Sequence, residues 1–303
     1  MKKRILKNVI LFGGGRWAKI YLENLIQKKV NIIVITSNKE LINFFLNHNF
    51  DNYQIINKLD EINIDKKSYI IVSNSTNKRL DLIKKIIKLK KNILLEKPLS
   101  NDPNDFFKHN LNKKNIYLSL QFTFANYFKQ IKKKIKNEII ESLCIDWFDI
   151  KNEKKTFNNK IYFIEDVYYH FFSIIRIFIK NQNIIKDNSI VKMNKIETIL
   201  NKMTITLNAS KNKSKKIRIL TIQTNKNKFI INFKNLNSIT VKKNKNLTIK
   251  IVKNVKNLPI QINNFLLKNN NIKQNSLKNL KYLFEDLIKI KKKLPKNKPY
   301  ITL

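Results

Sequence analysis

The run Gly13-Gly14-Gly15-Arg16-Trp17-Ala18 constrains this chain more than any other feature, because its 303 residues include only three glycines and all of them stand here. The run follows a short apolar segment, Asn8 to Phe12. It opens an amphipathic one, Trp17 to Lys28, in which Ile20, Tyr21, Leu22 and Leu25 face one way. Strand, GxGxxG/A and helix in that order predict a first βα turn shaped around a diphosphate. Gly13 permits the tight turn, Gly15 lets the main chain approach the phosphates, and Ala18 keeps the helix close to the strand. The start of that helix offers unpaired N–H groups and a positive dipole end, with Arg16 and Trp17 beside them.

The surrounding pattern agrees. Further β-branched runs at Asn31 to Ile35, Tyr53 to Ile56, Tyr69 to Val72, Asn92 to Leu95 and Ile116 to Leu120 alternate with helical segments at Lys39 to Leu46 and Leu80 to Leu89. Another helix is expected to begin at Pro103 with Asp102 as its cap. This is the pattern of a parallel sheet covered by crossover helices, an α/β Rossmann domain over residues 1–122. After Gln121 the texture changes. Helices are predicted over Asn126 to Lys136 and Asp166 to Ile179, and a strand over Ser142 to Asp149. From Met203 to Val252 several short strands alternate with period two, and helices near Ile260 to Leu267 and Ser276 to Lys293 close the chain. Residues 123–303 are thus expected to form an α+β domain with a large, mainly antiparallel open sheet.

Composition narrows the class. The formal charge is +41, from 62 Lys+Arg against 21 Asp+Glu. Lysine, asparagine and isoleucine are spread evenly, as A- and T-rich codons would give, and the lysines do not gather into a basic arm beyond short runs such as Lys132 to Lys134 and Lys291 to Lys293. No specific nucleic-acid partner is expected from them. Cys144 is the only cysteine, which leaves neither a disulfide framework nor a thiolate-rich metal site and suits the reducing cytoplasm. The longest apolar stretch, around Tyr169, is broken by His170 and Arg176 and falls short of the roughly 20 residues of a membrane span. The opening MKKRILKNVILFGGG reads as a strand rather than a signal, since Lys7 and Asn8 interrupt it and no small-residue cleavage site follows.

Three further places carry candidate chemistry. At the end of the second strand, where an acidic residue would bind the adenosine ribose of NAD, the sequence has Thr36-Ser37-Asn38-Lys39. No carboxylate there repels a 2′-phosphate and Lys39 attracts one, so NADP is favoured, with NAD as the alternative. Ser73 and Asn74 follow the all-apolar fourth strand at the edge where ligands bind. Glu96-Lys97-Pro98 follows the fifth.

With Glu96-Lys97-Pro98 at this distance from the glycine loop, the chain resembles the Gfo/Idh/MocA family of NAD(P)-dependent oxidoreductases. The resemblance implies that Lys97 lies beneath the nicotinamide and donates or relays a proton, with Glu96 beside the cofactor and Pro98 often preceded by a cis bond. Asp166-Val167-Tyr168-Tyr169-His170 resembles the start of the family's DxxxHxxD segment, which implies His170 as the acid/base over the substrate and Asp166 beside it; Ser173 replaces the last carboxylate. The i, i+4 spacing alone puts Asp166 and His170 on one helix face. Ser119-Leu120-Gln121 resembles the family's GFN segment, and the region of Phe265 its closing elements. Phe122 and Thr123 stand where many members carry Arg or Tyr, which points to a flatter, less hydroxylated substrate than a sugar.

The resemblance implies hydride transfer between nicotinamide and a C=O or C=N carbon of a small substrate, with residues 123–303 binding substrate and mediating oligomerisation, in a homodimer or homotetramer; no metal is expected. An imine reductase of natural-product assembly and a non-catalytic dinucleotide-binding regulator are the alternatives. The aromatics Tyr162, Phe163, Tyr168, Tyr169, Phe171 and Phe172 are read as core in preference to a pocket, with Tyr127 and Tyr169 as accessory proton donors.

Overall fold

Apolar runs with no polar alternation become strands buried on both faces, and here they build a parallel sheet. The computed structural model describes residues 7–47, 53–56, 68–150, 163–179, 181–192, 194–233, 238–243, 246–251 and 256–294. It divides into two units, Met1–Ser119 with Ile262–Leu280, and Leu120–Gln261 with Lys281–Leu303. The first unit runs β1 (Lys7–Phe12), α1 (Arg16–Ile26), β2 (Val30–Ile35), α2 (Lys39–Leu46), β3 (Tyr53–Ile56), β4 (Tyr69–Val72), α3 (Thr76–Ile86), β5 (Asn92–Leu95), α4 (Asp105–Lys108) and β6 (Ile116–Leu118). Its six strands lie in the order β3-β2-β1-β4-β5-β6, every pair parallel. The order reverses at β1, the topological switch point of a Rossmann sheet. All four residues of β4 are buried, and α1 turns Ala18, Tyr21, Leu22 and Leu25 inward.

One element begins later than its sequence suggests. Pro103 does not open a helix; the Asp102 carboxylate accepts from Asn104 N (3.2 Å) in a turn, and α4 is a four-residue piece from Asp105. A short helix has too few internal bonds to pull the preceding turn into register.

The first unit also recruits chain from far away. Phe265 packs edge-on against Tyr69 and Tyr117, with ring centroids 5.4 and 5.8 Å apart. Leu118 N donates to Asn275 O (2.9 Å), and Tyr117 bridges to Ser276. Lys7 reaches the Leu266 carbonyl. The returning segment thereby occupies the free edge of β6, which would otherwise present unpaired main-chain groups.

The second unit holds α5 (Asn126–Lys134), β7 (Ile140–Ile150), α6 (Phe163–Phe178), β8 (Ile190–Val191), β9 (Lys195–Leu200), β10 (Met203–Lys213), β11 (Ile217–Thr224), β12 (Lys228–Asn232), β13 (Ser238–Lys243) and β14 (Asn246–Ile251). Helix α7 (Asn257–Leu266) leads into the returning segment with α8 (Asn270–Lys273), and α9 (Lys281–Lys293) belongs to the second unit. Its sheet has the order β14-β13-β12-β11-β7-β10-β9-β8 and is antiparallel except where β7 meets β10. The fold class expected from the sequence is the one observed. Strands β8 and β9 were not anticipated, although Ile196, Thr198 and Leu200 alternate inward along β9.

One face of this sheet is core, with Leu143, Ile145 and Trp147 of β7 beside Ile205 and Leu207 of β10, and α6 buries Val167 to Ile175. Asp286 of α9 is fully buried and accepts from Arg176 Nη2 (2.6 Å), Ile184 N (3.0 Å) and Ile185 N (2.9 Å), fixing the turn after α6.

Candidate active site

The three glycines are glycine for different reasons. Gly13 has φ +134°, a region essentially closed to other residues. A Cβ there would stand 2.6 Å from Ser73 Oγ. Ser73 closes under this turn, its N–H and hydroxyl both donating to Phe12 O (2.8 and 3.0 Å). A Cβ on Gly14 would lie 2.4 Å from Thr36 Oγ1 and from Asn38 Cβ. Gly15, by contrast, has ordinary extended φ/ψ (−86°, −174°), and a Cβ on it would meet no atom within 4 Å. Nothing among the described residues requires glycine at 15. It is the N-cap of α1 and has no side chain with which to cap that helix, and Gly15, Arg16 and Trp17 are exposed around its start.

Elsewhere the chain places other residues where glycine is common. Lys90, Asn110, Asn181, Asn201, Lys202 and Lys268 all have φ between 48° and 66°. Asparagine and lysine therefore serve at left-handed positions, and glycine appears only in the first βα turn.

At the end of β2, Thr36 is buried and its Oγ1 accepts from Asn38 N (3.1 Å). Asn38 caps α2 by accepting from Leu41 N (2.8 Å), so its side-chain oxygen is engaged within the fold. Ser37 and Lys39 are exposed on either side.

The ends of β4 and β5 converge on one buried guanidinium. Arg79 of α3, 4% exposed, donates through Nη1 to Glu96 O (2.6 Å) and to Pro98 O, and through Nη2 to Asn74 O. Lys97 lies between two of these carbonyls, half-buried, and the Lys97-Pro98 bond is cis. The Glu96 carboxylate does not face solvent; it is 3% exposed and accepts from Tyr21 OH at 2.5 Å, with Ser119 Oγ 2.8 Å from the same phenol oxygen. Burial pushes the Glu96 carboxyl above its ordinary value, while the Tyr21 bond, Ser119 and the charges of Arg79 and Lys97 pull the other way. Burial, together with the adjacent carboxylate, raises the Tyr21 phenol well above its own. Asn74 Oδ1 is buried with no hydrogen-bond partner among the described residues, an acceptor beside the glycine turn that a ligand hydroxyl could satisfy.

In the second unit, Asp166 and His170 both lie on α6, the first half-buried and the second 8% exposed. The His170 ring stacks on Trp147 (5.6 Å, 16°) and meets the edge of Phe122 (4.9 Å, 90°). Phe233 closes the same group against Phe122 and Trp147. Arg218 lies 4.3 Å over the Trp147 ring and is held by Asp149 (2.8 Å). Ser173, which takes the place of a carboxylate, turns its hydroxyl back to His170 O (2.8 Å), and Thr123 does the same to Leu120 O (2.7 Å).

Tyr168, Tyr169, Phe171 and Phe172 are at most 2% exposed, so these aromatics are core. Tyr162 and the side chain of Phe163 lie outside the described residues. Tyr169 packs on Phe284, and Tyr127 is fully buried with its phenol pushed upward by burial. Neither is suited to trade protons with a substrate.

Sequence reasoning missed Gly14, Thr36, Tyr21 and above all Arg79. A signal was available for the last: in a chain whose basic residues are overwhelmingly lysine, the arginines are Arg4, Arg16, Arg79, Arg176 and Arg218. Arg79, Arg176 and Arg218 each hold an oxygen-rich partner that suits a planar fork. Among the described residues no cluster of His, Cys, Asp or Glu could hold a metal ion, and no helix is long and apolar enough to cross a membrane.

No protein-family model and no curated protein matches the sequence. Solved structures do match. A dehydrogenase (MviM) from Clostridium difficile shares 18% identity over 94% of this chain and 99% of its own, with a TM-score of 0.69. UDP-N-acetylglucosamine 3-dehydrogenase GnnA from Acidithiobacillus ferrooxidans shares 9% over 98% and 100%, at 0.75. KijD10, a 3-ketoreductase from Actinomadura kijaniata solved with TDP-benzene and NADP, shares 10% over 96% and 98%, also at 0.75. By their descriptions these neighbours are two dehydrogenases and a ketoreductase, and the chain shares their fold over 94–98% of its length.

Proposed function

We propose that this protein is an NAD(P)-dependent oxidoreductase that transfers hydride between a nicotinamide and a C=O or C=N carbon of a small substrate. The observation that carries the proposal is Gly15. Gly13 and Gly14 are required by backbone conformation and by Thr36, Asn38 and Ser73, but a Cβ at 15 would meet no atom of the described residues within 4 Å. A glycine with no cause among the described residues, at a helix start that it has no side chain to cap, in a chain that otherwise avoids glycine, is explained by a diphosphate drawn against the main chain. The oxidoreductase neighbours, one of them solved with NADP, support the same reading.

The residues fit the cofactor. Arg16 and Trp17 flank the helix start, Ser37 and Lys39 offer a hydroxyl and a positive charge for a 2′-phosphate, and Asn74 Oδ1 offers an acceptor to a ribose hydroxyl. Ser73, Asn38 and Glu96 act indirectly, bracing the turn, α2 and β5. When bound, the nicotinamide supplies the hydride. The chain's own task is to orient the reacting carbon and protonate its oxygen or nitrogen. Lys97 and His170 are the proton carriers in this reading, with Asp166 one turn from His170 to tune it. The apolar edge of Phe122 against His170 favours a flat substrate with few hydroxyls over a polyol, and so favours a ketone or cyclic imine. Carrying both Lys97 and His170 speaks against a regulator that binds without turnover.

We further infer a cytoplasmic protein that pairs with copies of itself. The second face of the large sheet carries Thr206, Asn208, Cys144, Asp146, Ile219 and Thr221 half-buried and Ile199 and Ile249 exposed, a mixed surface suited to an isologous contact.

NADPH fluorescence titration of the parent, Gly15→Val and Lys97→Ala tests the core of the proposal. Saturable binding in the parent, lost in Gly15→Val and kept in Lys97→Ala, is expected. Equal binding by parent and Gly15→Val, or none by the parent, refutes it. A screen of ketones, imines and sugars for NADPH consumption then sorts the substrate class.

A further inference from the structure

We propose that Arg79 is a positioning residue for Lys97, a planar clamp that sets the lysine's main chain from both sides and ties it to the loop after β4. The inference rests on the reading that Lys97 stands beside a bound dinucleotide. One guanidinium receives three carbonyls: Glu96 O and Pro98 O, which bracket Lys97, and Asn74 O, next to the glycine turn. All three are main-chain acceptors on loops that follow β4 and β5, the strand ends where this fold binds ligands.

Loops usually hold their shape through turns of their own, but Glu96 to Pro98 is pinned from α3, a rigid element. Arg79 is buried, so its charge is kept in place by these carbonyls and by the nearby Glu96 carboxylate. The geometry demands a fork. An ammonium is a compact point charge, whereas the guanidinium presents coplanar donors to separate acceptors at fixed angles. Lysine is the basic residue this sequence uses almost everywhere, and arginine stands at 79. Displacement of a proton donor by about 1 Å costs on the order of 100-fold in rate, so a clamp on the backbone either side of Lys97 governs the chemistry without touching substrate.

The test compares the parent, Arg79→Lys and Arg79→Met by acylating lysine amines in the presence and absence of saturating NADPH, with each site read by mass spectrometry. In the parent, NADPH slows labelling of Lys97 and leaves exposed Lys84 and Lys133 unchanged. In both variants, this protection of Lys97 is expected to fall on the order of 10-fold, with the NADPH Kd changing less than that. Arg79→Lys keeps the charge, so parent-like protection in that variant overturns the fork. If Arg79→Met does not fold, Arg79→Lys decides alone. Loss of the cooperative thermal transition in both variants also overturns the proposal, leaving Arg79 as a staple of the fold. A parent that binds no NADPH, or binds it without shielding Lys97, refutes instead the cofactor reading beneath the proposal.

Discussion

The two units hold their candidate reactive groups by opposite means. Lys97 is fixed through its backbone, by a guanidinium on neighbouring carbonyls. His170 is fixed through its ring, between Trp147 and Phe122 on a helix whose backbone needs no help. The difference teaches that a site held by main chain depends on a few irreplaceable residues, whereas a site held by packed rings depends on volume and shape, which many side chains can supply.

The contrast can be tested at several strengths. The largest effect is expected where the second unit departs from soft packing, at Asp286. Replacing it with alanine strands Arg176 and two buried N–H groups, and urea unfolding should report a loss of about 3–5 kcal/mol. A loss below about 1 kcal/mol would show that this carboxylate is no lock. Next comes the glycine turn. Gly13→Ala forces a side chain into φ +134° and onto Ser73, for a cost of about 1–3 kcal/mol. Gly15→Ala, two residues on, should change stability by less than about 0.5 kcal/mol, because its Cβ enters open space. Equal losses at 13 and 15 would erase the distinction drawn between them.

His170→Phe sharpens the comparison on the ring side. It preserves aromatic packing between Trp147 and Phe122, so the melting free energy should move by less than about 1.5 kcal/mol while substrate turnover disappears and NADPH affinity stays. The smallest effect is a pH slope at Glu96. Its carboxyl is raised in the folded chain above the usual value near 4.5, so the fold binds this proton more tightly than the unfolded chain does. Its contribution to stability is complete below that value and declines as pH climbs toward the folded pKa. Glu96→Gln keeps an acceptor for Tyr21 and removes the decline. Urea midpoints of parent and variant, compared between pH 4.5 and neutrality, should draw apart in favour of Gln as pH rises.

Much of the first unit was legible because its determinants are local. A β-branched run, three adjacent glycines and an amphipathic stretch announce β1, the turn and α1 within twenty residues of each other. The placement of Lys97 after β5 was legible for the same reason, as was the helix carrying Asp166 and His170. What stayed hidden was longer in range. Arg79 looks like any basic residue on a helix until the Glu96 and Pro98 carbonyls arrive from another loop. Glu96 invited a role beside the cofactor, and only Tyr21 and Ser119 show that it faces inward. Phe122 drew notice as a departure in residue type, but its contact with His170 depends on how the start of the second unit folds onto α6. Stretches of alternating apolar residues, such as β9, yield their partner only when the whole sheet is assembled.

The journey of residues 262–280 back to β6 also bears on how the chain is made. A ribosome that has just finished the last strand of the first sheet has still to deliver about half of the polypeptide before Phe265 can cover Tyr69 and Tyr117, or Asn275 can receive Leu118. Throughout that interval the nascent sheet carries a raw flank, and a gene fragment stopped near residue 122 would carry it permanently. Such a fragment should be sticky and poorly expressed, and fusing residues 262–280 to its end through a flexible tether should restore its solubility.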